Sequence, residues 1–115
     1  MKDSHFRQLV GSKLTRVEFV HDYIQFAFGN IGLSALTRVT LSDKGTASSQ
    51  GEPGFNKKLQ SLVNDRVAQI NFRPQEALII TFEERSTIEI SLRPDHYTCP
   101  EGINLYLPDG TIVVE

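Results

Sequence analysis

Hydrophobic and polar residues alternate along most of the chain, which is the pattern of half-buried β-strands. In the segment YIQFAF, for example, Ile24, Phe26 and Phe28 share one face and Gln25 lies on the other. The same alternation recurs between turn-forming residues such as Gly29-Asn30. The pattern predicts strands at 14–20, 23–28, 31–42, 67–72, 78–82, 87–92, 103–107 and 111–114.

Two short segments instead have hydrophobic residues at helical spacing. They are predicted helices, one near the N-terminus with Phe6, Leu9 and Val10, and one with Phe55, Leu59, Leu62 and Val63. Gly11 follows the first helix and Asn64 follows the second, and both residue types suit a left-handed C-terminal cap. Residues 42–54 are polar and rich in glycine, so they are predicted to form a loop.

The two helix–strand segments resemble each other in sequence. The stretch LVGSKLTRVEF at 9–19 aligns without a gap to LVNDRVAQINF at 62–72. We therefore predict a duplication with pseudo-repeats at about 3–41 and 55–92, followed by a C-terminal hairpin at 103–114. The predicted fold is a single α+β domain: an internally duplicated helix plus three-stranded meander, giving an antiparallel sheet of six to eight strands with two helices on one face. The pattern leaves an open sheet and a barrel as alternatives.

Length, charge and cysteine content narrow the class of protein. A chain of 115 residues fits one domain. It has no apolar stretch of about 20 residues for a membrane span and no N-terminal signal pattern. A net charge of −2 with scattered basic residues argues against nucleic acid or membrane as a partner. The single cysteine, Cys99, suits a reducing compartment, so we predict a cytoplasmic protein.

The loop at 93–101 has the densest set of reactive side chains. His96 and Cys99 are the residue types of a thiolate nucleophile or a zinc site. A zinc site needs three or four protein ligands, and the other histidines, His5 and His21, lie in distant segments. We therefore predict no catalytic residue, metal ligand or cofactor, and interpret the loop as a proline-fixed crossover with Cys99 buried. Asp22 is interpreted as a turn former.

Two stretches, VEFVHDYIQFAF and SLRPDHYTCPEGINLYLPDG, resemble small uncharacterised bacterial domains. The matching positions are Asp22, Gln25, Pro100 and Glu101. The resemblance implies a bacterial source and adds Asp22, Gln25 and Glu101 to the candidate functional positions. It implies no activity.

Three classes of function remain compatible with the sequence. The first is a non-enzymatic binding protein, such as an immunity-type inhibitor, adaptor or accessory subunit, whose partner is another protein; a polar sheet face with Tyr23 and Tyr106 would favour it. The second is a small-ligand binding module using a cleft between the duplicated halves, which a hydrophobic or charged cavity there would favour. The third is an enzyme with the 93–101 loop as its site. We predict the first class, with exposed edge strands that allow a homodimer.

Overall fold

The computed structural model describes residues 2–21, 23–43 and 45–115, and it consists mostly of β-strands. Two short α-helices and two 3-10 turns complete it. The strands are β1 (Arg16–Val20), β2 (Tyr23–Phe28), β3 (Ile31–Ala35), β4 (Val39–Asp43), β5 (Thr46–Ser49), β6 (Val67–Arg73), β7 (Ala77–Phe82), β8 (Thr87–Ser91), β9 (Ile103–Tyr106) and β10 (Ile112–Val114). The helices are α1 (Lys2–Phe6) and α2 (Phe55–Gln60), and the 3-10 turns are Arg7–Leu9 and Pro94–His96.

The ten strands form two antiparallel sheets of five. The first sheet has the order β1-β2-β3-β9-β10 and the second has the order β5-β4-β8-β7-β6. The predicted fold class, a single sheet of six to eight strands with two helices on one face, is therefore wrong. Alternation placed Ile24, Phe26 and Phe28 on the buried face, as the structure has them. It does not specify which strands pair, because pairing is decided by contacts between distant parts of the chain.

The two sheets are linked by an exchange of hairpins. The first three strands, β1 to β3, are followed by the hairpin β4–β5, which joins the second sheet by pairing with β8. The later three strands, β6 to β8, are followed by the hairpin β9–β10, which joins the first sheet by pairing with β3. Both crossovers are fixed by backbone hydrogen bonds, from Leu36 N to Gly102 O (2.8 Å) and from Ser91 N to Arg38 O (2.9 Å).

This exchange also explains why the long strand predicted at 31–42 is wrong. The chain leaves the first sheet after Ala35 and enters the second at Val39, so the segment is two strands. Thr37 lies at the crossover, buried, and its hydroxyl donates a hydrogen bond to the backbone oxygen of Ser91. The predicted loop at 42–54 likewise contains β5. Hydrophobic residues stay in phase across the break, so alternation does not reveal it.

Both helices are too short to form a layer of their own. Phe6 of α1 contacts Phe72 of β6, with ring centroids 5.0 Å apart. On α2, the Gln60 side-chain amide donates to the backbone oxygen of Val17 in β1 (3.1 Å). The helix α1, which precedes β1 of the first sheet, therefore lies against β6, an edge strand of the second sheet. The helix α2, which precedes β6, lies against β1, an edge strand of the first sheet. None of the helices in the described part of the chain is long and apolar enough to span a membrane.

One hydrophobic core lies between the sheets and includes side chains from both. In the first sheet, paired positions place Val17, Phe26, Leu33, Leu105 and Val113 in one inward row. All five are buried. The radius of gyration, 12.9 Å, is close to the roughly 13 Å expected of a compact domain of this length.

Residues 11–14 and 64–67 join the two sheets at one corner through reciprocal backbone contacts. Lys13 forms a β-bridge with Arg66 at the centre. The four hydrogen bonds around it come in two matched pairs: Gly11 N to Val67 O (2.8 Å) with Asn64 N to Leu14 O (2.7 Å), and Val67 N to Ser12 O (2.9 Å) with Leu14 N to Asp65 O (2.9 Å). The two bonds of each pair involve equivalent positions of the aligned stretches. Adding or subtracting 53, the spacing between those stretches, converts the residue numbers of one bond into those of the other. The duplication itself stays a prediction.

This corner corrects one further expectation. In the predicted strand 14–20, alternation places Leu14 on the face opposite Val17, with Arg16 and Glu18. The Leu14 side chain is nevertheless fully buried. The reason is that residue 14 lies before β1, where the chain pairs with residues 64 and 65 rather than with β2.

Candidate functional site

An open groove of about 600 Å³ lies beside the corner where the two sheets meet. We call it the junction groove. Its walls come from the segment after α2, the turn between β7 and β8, the end of β4 and Lys13. It is lined by Lys13, Asp43, Ser61, Leu62, Val63, Asn64, Asp65, Arg66, Glu83, Glu84 and Ser86.

The described part of the junction groove has more carboxylates than cationic groups. The acidic residues are Asp43, Asp65, Glu83 and Glu84, and the basic ones are Lys13 and Arg66. Four carboxylates against two cations leave a formal charge of −2 at neutral pH. Such a surface attracts cationic groups, and attraction of this kind weakens as salt screens it.

Several groups of the groove are already held in place by the fold. Asp43, at the end of β4, accepts a hydrogen bond from the buried Ser86 hydroxyl (3.0 Å). Asp65 accepts one from the backbone nitrogen of Arg66 (2.8 Å). The Arg66 guanidinium donates to the backbone oxygen of Gly11 (3.0 Å). These bonds fix two carboxylates and one cation before any ligand binds, which lowers the entropy lost on binding.

Glu83 and Glu84 are the exposed carboxylates of the groove. They lie in the turn between β7 and β8, and neither forms an ion pair within the described part of the chain. The backbone nitrogen of Glu83 donates to Arg66 O (2.9 Å), which ties this turn to the corner. The two side chains are therefore available to a partner while their backbone is anchored.

The 93–101 loop forms a separate polar cluster around His96. The imidazole Nδ1 is 2.6 Å from the hydroxyl of Ser91, which is buried at the end of β8. The Nε2 is 3.4 Å from the Arg38 guanidinium and 4.0 Å from an oxygen of Asp95. The Ser91 hydroxyl oxygen also accepts a hydrogen bond from Arg93 N (3.3 Å). The candidate residue His96 thus contacts Arg38, which lies in the other crossover, between β3 and β4.

The contact with Arg38 favours one imidazole tautomer. A guanidinium only donates hydrogen bonds, so Nε2 of His96 must accept the one from Arg38. Nδ1 then carries the proton and donates it to the Ser91 oxygen. A histidine that activates a serine must do the reverse and accept the hydroxyl proton. The pair therefore fits a structural link between the crossover and β8 better than a nucleophile with its base.

Cys99 and Glu101 lie further along the same loop. Cys99 is exposed, and its thiol donates a hydrogen bond to the backbone oxygen of Glu101 (3.2 Å). The interpretation of Cys99 as a buried hydrophobic residue is therefore wrong. Burial was inferred from the residue type, whereas position 99 lies in a bend-rich stretch between two strands, outside the core.

Gln25 and Tyr106 lie on the outer face of the first sheet. Its outward rows run Arg16–Ala27–Gly32–Tyr106–Ile112 and Glu18–Gln25–Ser34–Asn104–Val114. Tyr23 shares their parity on β2 and pairs with Val20 at the end of that strand. The structure thus brings Tyr23, Gln25 and Tyr106 to one face of the first sheet, whereas His96 lies in the loop between β8 and β9. Asp22, also a candidate, lies outside the described residues.

Sequence reasoning missed the junction groove as a site. Glu83 and Glu84 fall between the predicted strands 78–82 and 87–92, where a turn with exposed charge is expected, and Lys13 and Arg66 are aligned positions within 9–19 and 62–72. The alignment was nevertheless a usable signal, because the aligned positions Lys13 and Arg66 pair with each other in a β-bridge and both line the groove. No group of three or more metal-ligating side chains occurs within residues 2–21, 23–43 and 45–115.

Comparison of the chain with protein-family models, with curated proteins and with solved structures finds no match in any of the three.

Proposed function

We propose that the protein is a non-enzymatic binding protein that acts through its surface, and that the junction groove receives a basic segment of another protein. The observation that carries this proposal is the excess of carboxylates in the groove. Asp43 and Asp65 are held by hydrogen bonds, and Glu83 and Glu84 are exposed with no ion pair to any described residue. An immunity-type inhibitor, an adaptor or an accessory subunit would each use such a surface. A cytoplasmic location, expected from the single cysteine, belongs to the same proposal.

The shape of the groove also supports a polypeptide as the partner. The groove is open and has charges of both signs, whereas small-molecule sites are mostly enclosed and apolar with a few polar groups. A basic segment could place its cations near Glu83 and Glu84 and its backbone or acidic groups near Lys13. Complementary charges of this kind raise the association rate and select the partner.

The test is affinity capture from cells that express the chain, using a charge-reversed variant. Glu83→Lys combined with Glu84→Lys should lose a partner that the wild type retains in stoichiometric amount. The matched control is Glu76→Lys with Glu89→Lys, which makes the same charge change at exposed positions outside the groove. Equal capture by both variants would show that the groove is not the binding site, and no stoichiometric partner for the wild type would contradict the proposal.

The second candidate is a small-ligand binding module using the same groove. Its volume of about 600 Å³ is within the usual range for ligand sites, roughly 300–1,000 Å³. A charged cavity between the halves was the feature expected to favour this class. The test is an NMR titration with small amines and guanidinium compounds, in which the amides of Asn64, Arg66 and Glu83 should shift and saturate. Saturable binding in the absence of a protein partner would favour this candidate over the first.

A further inference from the structure

Two five-stranded sheets have four edge strands: β1, β5, β6 and β10. An exposed edge presents unpaired backbone groups that can pair with another chain, and proteins usually protect such edges with charges, bulges or covering side chains. The four edges of this protein differ in how far they are protected.

Three of the edges are protected. On β1, Arg16 and Glu18 form an ion pair (2.9 Å), and Gln60 bonds to the backbone oxygen of Val17. On β6, the register shifts at Val67, as in a β-bulge. At the end of β5, the backbone nitrogen of Ser49 is bonded by the Glu52 carboxylate (3.0 Å).

The fourth edge, β10, has none of these protecting features. Its three residues are Ile112, Val113 and Val114, with no charge, proline or register shift among them. Ile112 is 58% exposed and Val114 is 42% exposed, while Val113 faces the core. Beside Ile112 on β9, Tyr106 is 37% exposed. The outer face of the first sheet therefore ends in an uncovered apolar strip.

The backbone of β10 is also free on its outer side. Glu115 and Ile103 exchange both hydrogen bonds (3.0 and 3.2 Å), and Leu107 N donates to Thr111 O (2.9 Å). In an antiparallel pair, hydrogen-bonded and non-hydrogen-bonded residue pairs alternate, so Val113 also bonds to β9. The N–H and C=O groups of Ile112 and Val114 must then point away from β9. No hydrogen bond from the described part of the chain reaches them.

We propose that β10 pairs antiparallel with β10 of a second copy of this chain, making one ten-stranded sheet across a homodimer. With the twofold axis at Val113, Ile112 of one protomer lies opposite Val114 of the other. Each of the two Ile112–Val114 pairs exchanges two hydrogen bonds. These four bonds satisfy the outward N–H and C=O groups of Ile112 and Val114 in both protomers, and the contact is closed and isologous.

Side chains favour a second copy as the occupant. Each Ile112 would pack beside a partner Val114 on the outer face, extending the strip that begins at Tyr106. No charged residue lies within β10, and Glu115 would lie opposite the partner's Thr111, so the twofold arrangement brings no like charges together. An edge contact of three residues buries less than the roughly 1,200 Å² of a stable interface, so the dimer is weak and concentration-dependent.

Sedimentation equilibrium of the full chain, from roughly 1 μM to 1 mM, tests this inference. The wild type should shift from monomer to dimer across this range. Ile112→Lys places a charge in the contact, and Val114→Pro removes an outward N–H without breaking a bond to β9, as edge strands permit. Both variants should remain monomeric at concentrations at least tenfold above the wild-type midpoint, while Val10→Lys, which alters another exposed apolar residue, should dimerise normally.

Hydrogen exchange of the same samples locates the contact. The amides of Ile112 and Val114 should become protected only as the dimer forms. A wild type that is monomeric throughout the range overturns the proposal. So does a dimer that survives both β10 variants, or one that forms without protecting these two amides. Circular dichroism of each variant confirms that loss of the dimer is not loss of the fold. The outcome is independent of the junction groove, because the β10 substitutions lie outside it.

Discussion

Gly11 and Asn64 have nearly identical left-handed backbone conformations, with φ of 86° and 85°. They are aligned positions of the two similar stretches. Each follows a helical segment and is the first residue of its side of the corner where the sheets meet. A left-handed residue at both positions is what the sequence predicted. The relationship shows that a glycine and an asparagine serve the same purpose, reversing the chain so that 11–14 and 64–67 can pair.

This relationship predicts the effect of alanine at both positions. Gly11→Ala should lower the free energy of unfolding by about 1–2 kcal/mol, because a residue with a Cβ is strained in this conformation. Asn64→Ala should lower it by less, because Asn64 already has a Cβ and the change removes only the local hydrogen bonding that helps asparagine adopt the conformation. No atom outside residues 10–12 lies within 4 Å of a Cβ built at Gly11, so the cost would be conformational rather than steric. Asn64→Gly should change stability little. Urea denaturation measures all three, and an unaffected Gly11→Ala would contradict the assignment.

Core substitutions should separate the two faces of the strands. Phe26→Ala and Ile80→Ala should each cost roughly 2–5 kcal/mol of unfolding free energy, since both side chains are fully buried and leave a cavity. Gln25→Ala should cost less than about 1 kcal/mol, because Gln25 lies on the outer face. Denaturant melts of the three variants test this, and Gln25→Ala as the most damaging change would mean that the faces are inverted.

The Ser91–His96 contact predicts which imidazole nitrogen is protonated. In the neutral ring, Nδ1 should carry the proton, since Nε2 accepts from Arg38. Nitrogen-15 chemical shifts of the ring measure this directly. Ser91→Ala should destabilise the protein by about 1–3 kcal/mol, because a buried hydroxyl that accepts from both His96 and Arg93 is lost. A proton on Nε2 would reverse the assignment and make Ser91 the hydrogen-bond donor.

Asp109 should make the turn between β9 and β10 sensitive to acid. The backbone N–H of Thr111, and then its side chain, donate to the carboxylate and lower the pKa of Asp109 below the ordinary value of 3.8. A lowered folded-state pKa means that the carboxylate stabilises the folded turn above the unfolded pKa. This contribution is lost as pH falls through the folded pKa, so the effect lies in the range below 3.8.

Carbon-13 titration of the Asp109 carboxyl checks the shift, with the urea-unfolded protein as reference. The folded midpoint should lie below the unfolded one, and Thr111 amide protection should fall over the same acid range. In Asp109→Asn this loss of protection should disappear. A folded midpoint equal to or above the unfolded midpoint would contradict the prediction.

Cys99 should react with iodoacetamide in the folded protein. Its thiol is exposed, whereas the buried Cys99 expected from the sequence would have been shielded from the reagent. We expect folded and unfolded chains to react at rates within about tenfold of each other at neutral pH, because no opening of the structure is needed. Mass spectrometry of the time course measures both rates. A folded-state rate far below this range would show that the thiol is shielded.

The sequence by itself determined which residues face the core in regularly alternating strands such as β2, and where many turns fall. Ile24, Phe26 and Phe28 are buried as their alternation predicted, and Asn64 is left-handed as predicted. The prediction that Asn64 caps α2 is wrong, because the helix ends at Gln60 with Ser61 as its cap. Such features depend on neighbours a few positions away, because the side-chain period of a strand and the left-handed preference of glycine and asparagine are local properties.

Only the tertiary structure decided which strands pair. Ala35 and Val39 belong to different sheets although nothing in their alternation separates them, and the two hairpins exchange sheets through contacts between distant positions such as Leu36 and Gly102. The junction groove arises the same way, since Lys13, Asp43 and Glu83 come together only when the sheets close at the corner. Strand pairing and groove geometry depend on backbone groups far apart in the chain, and a hydrophobic pattern assigns a face to each strand without naming its partner.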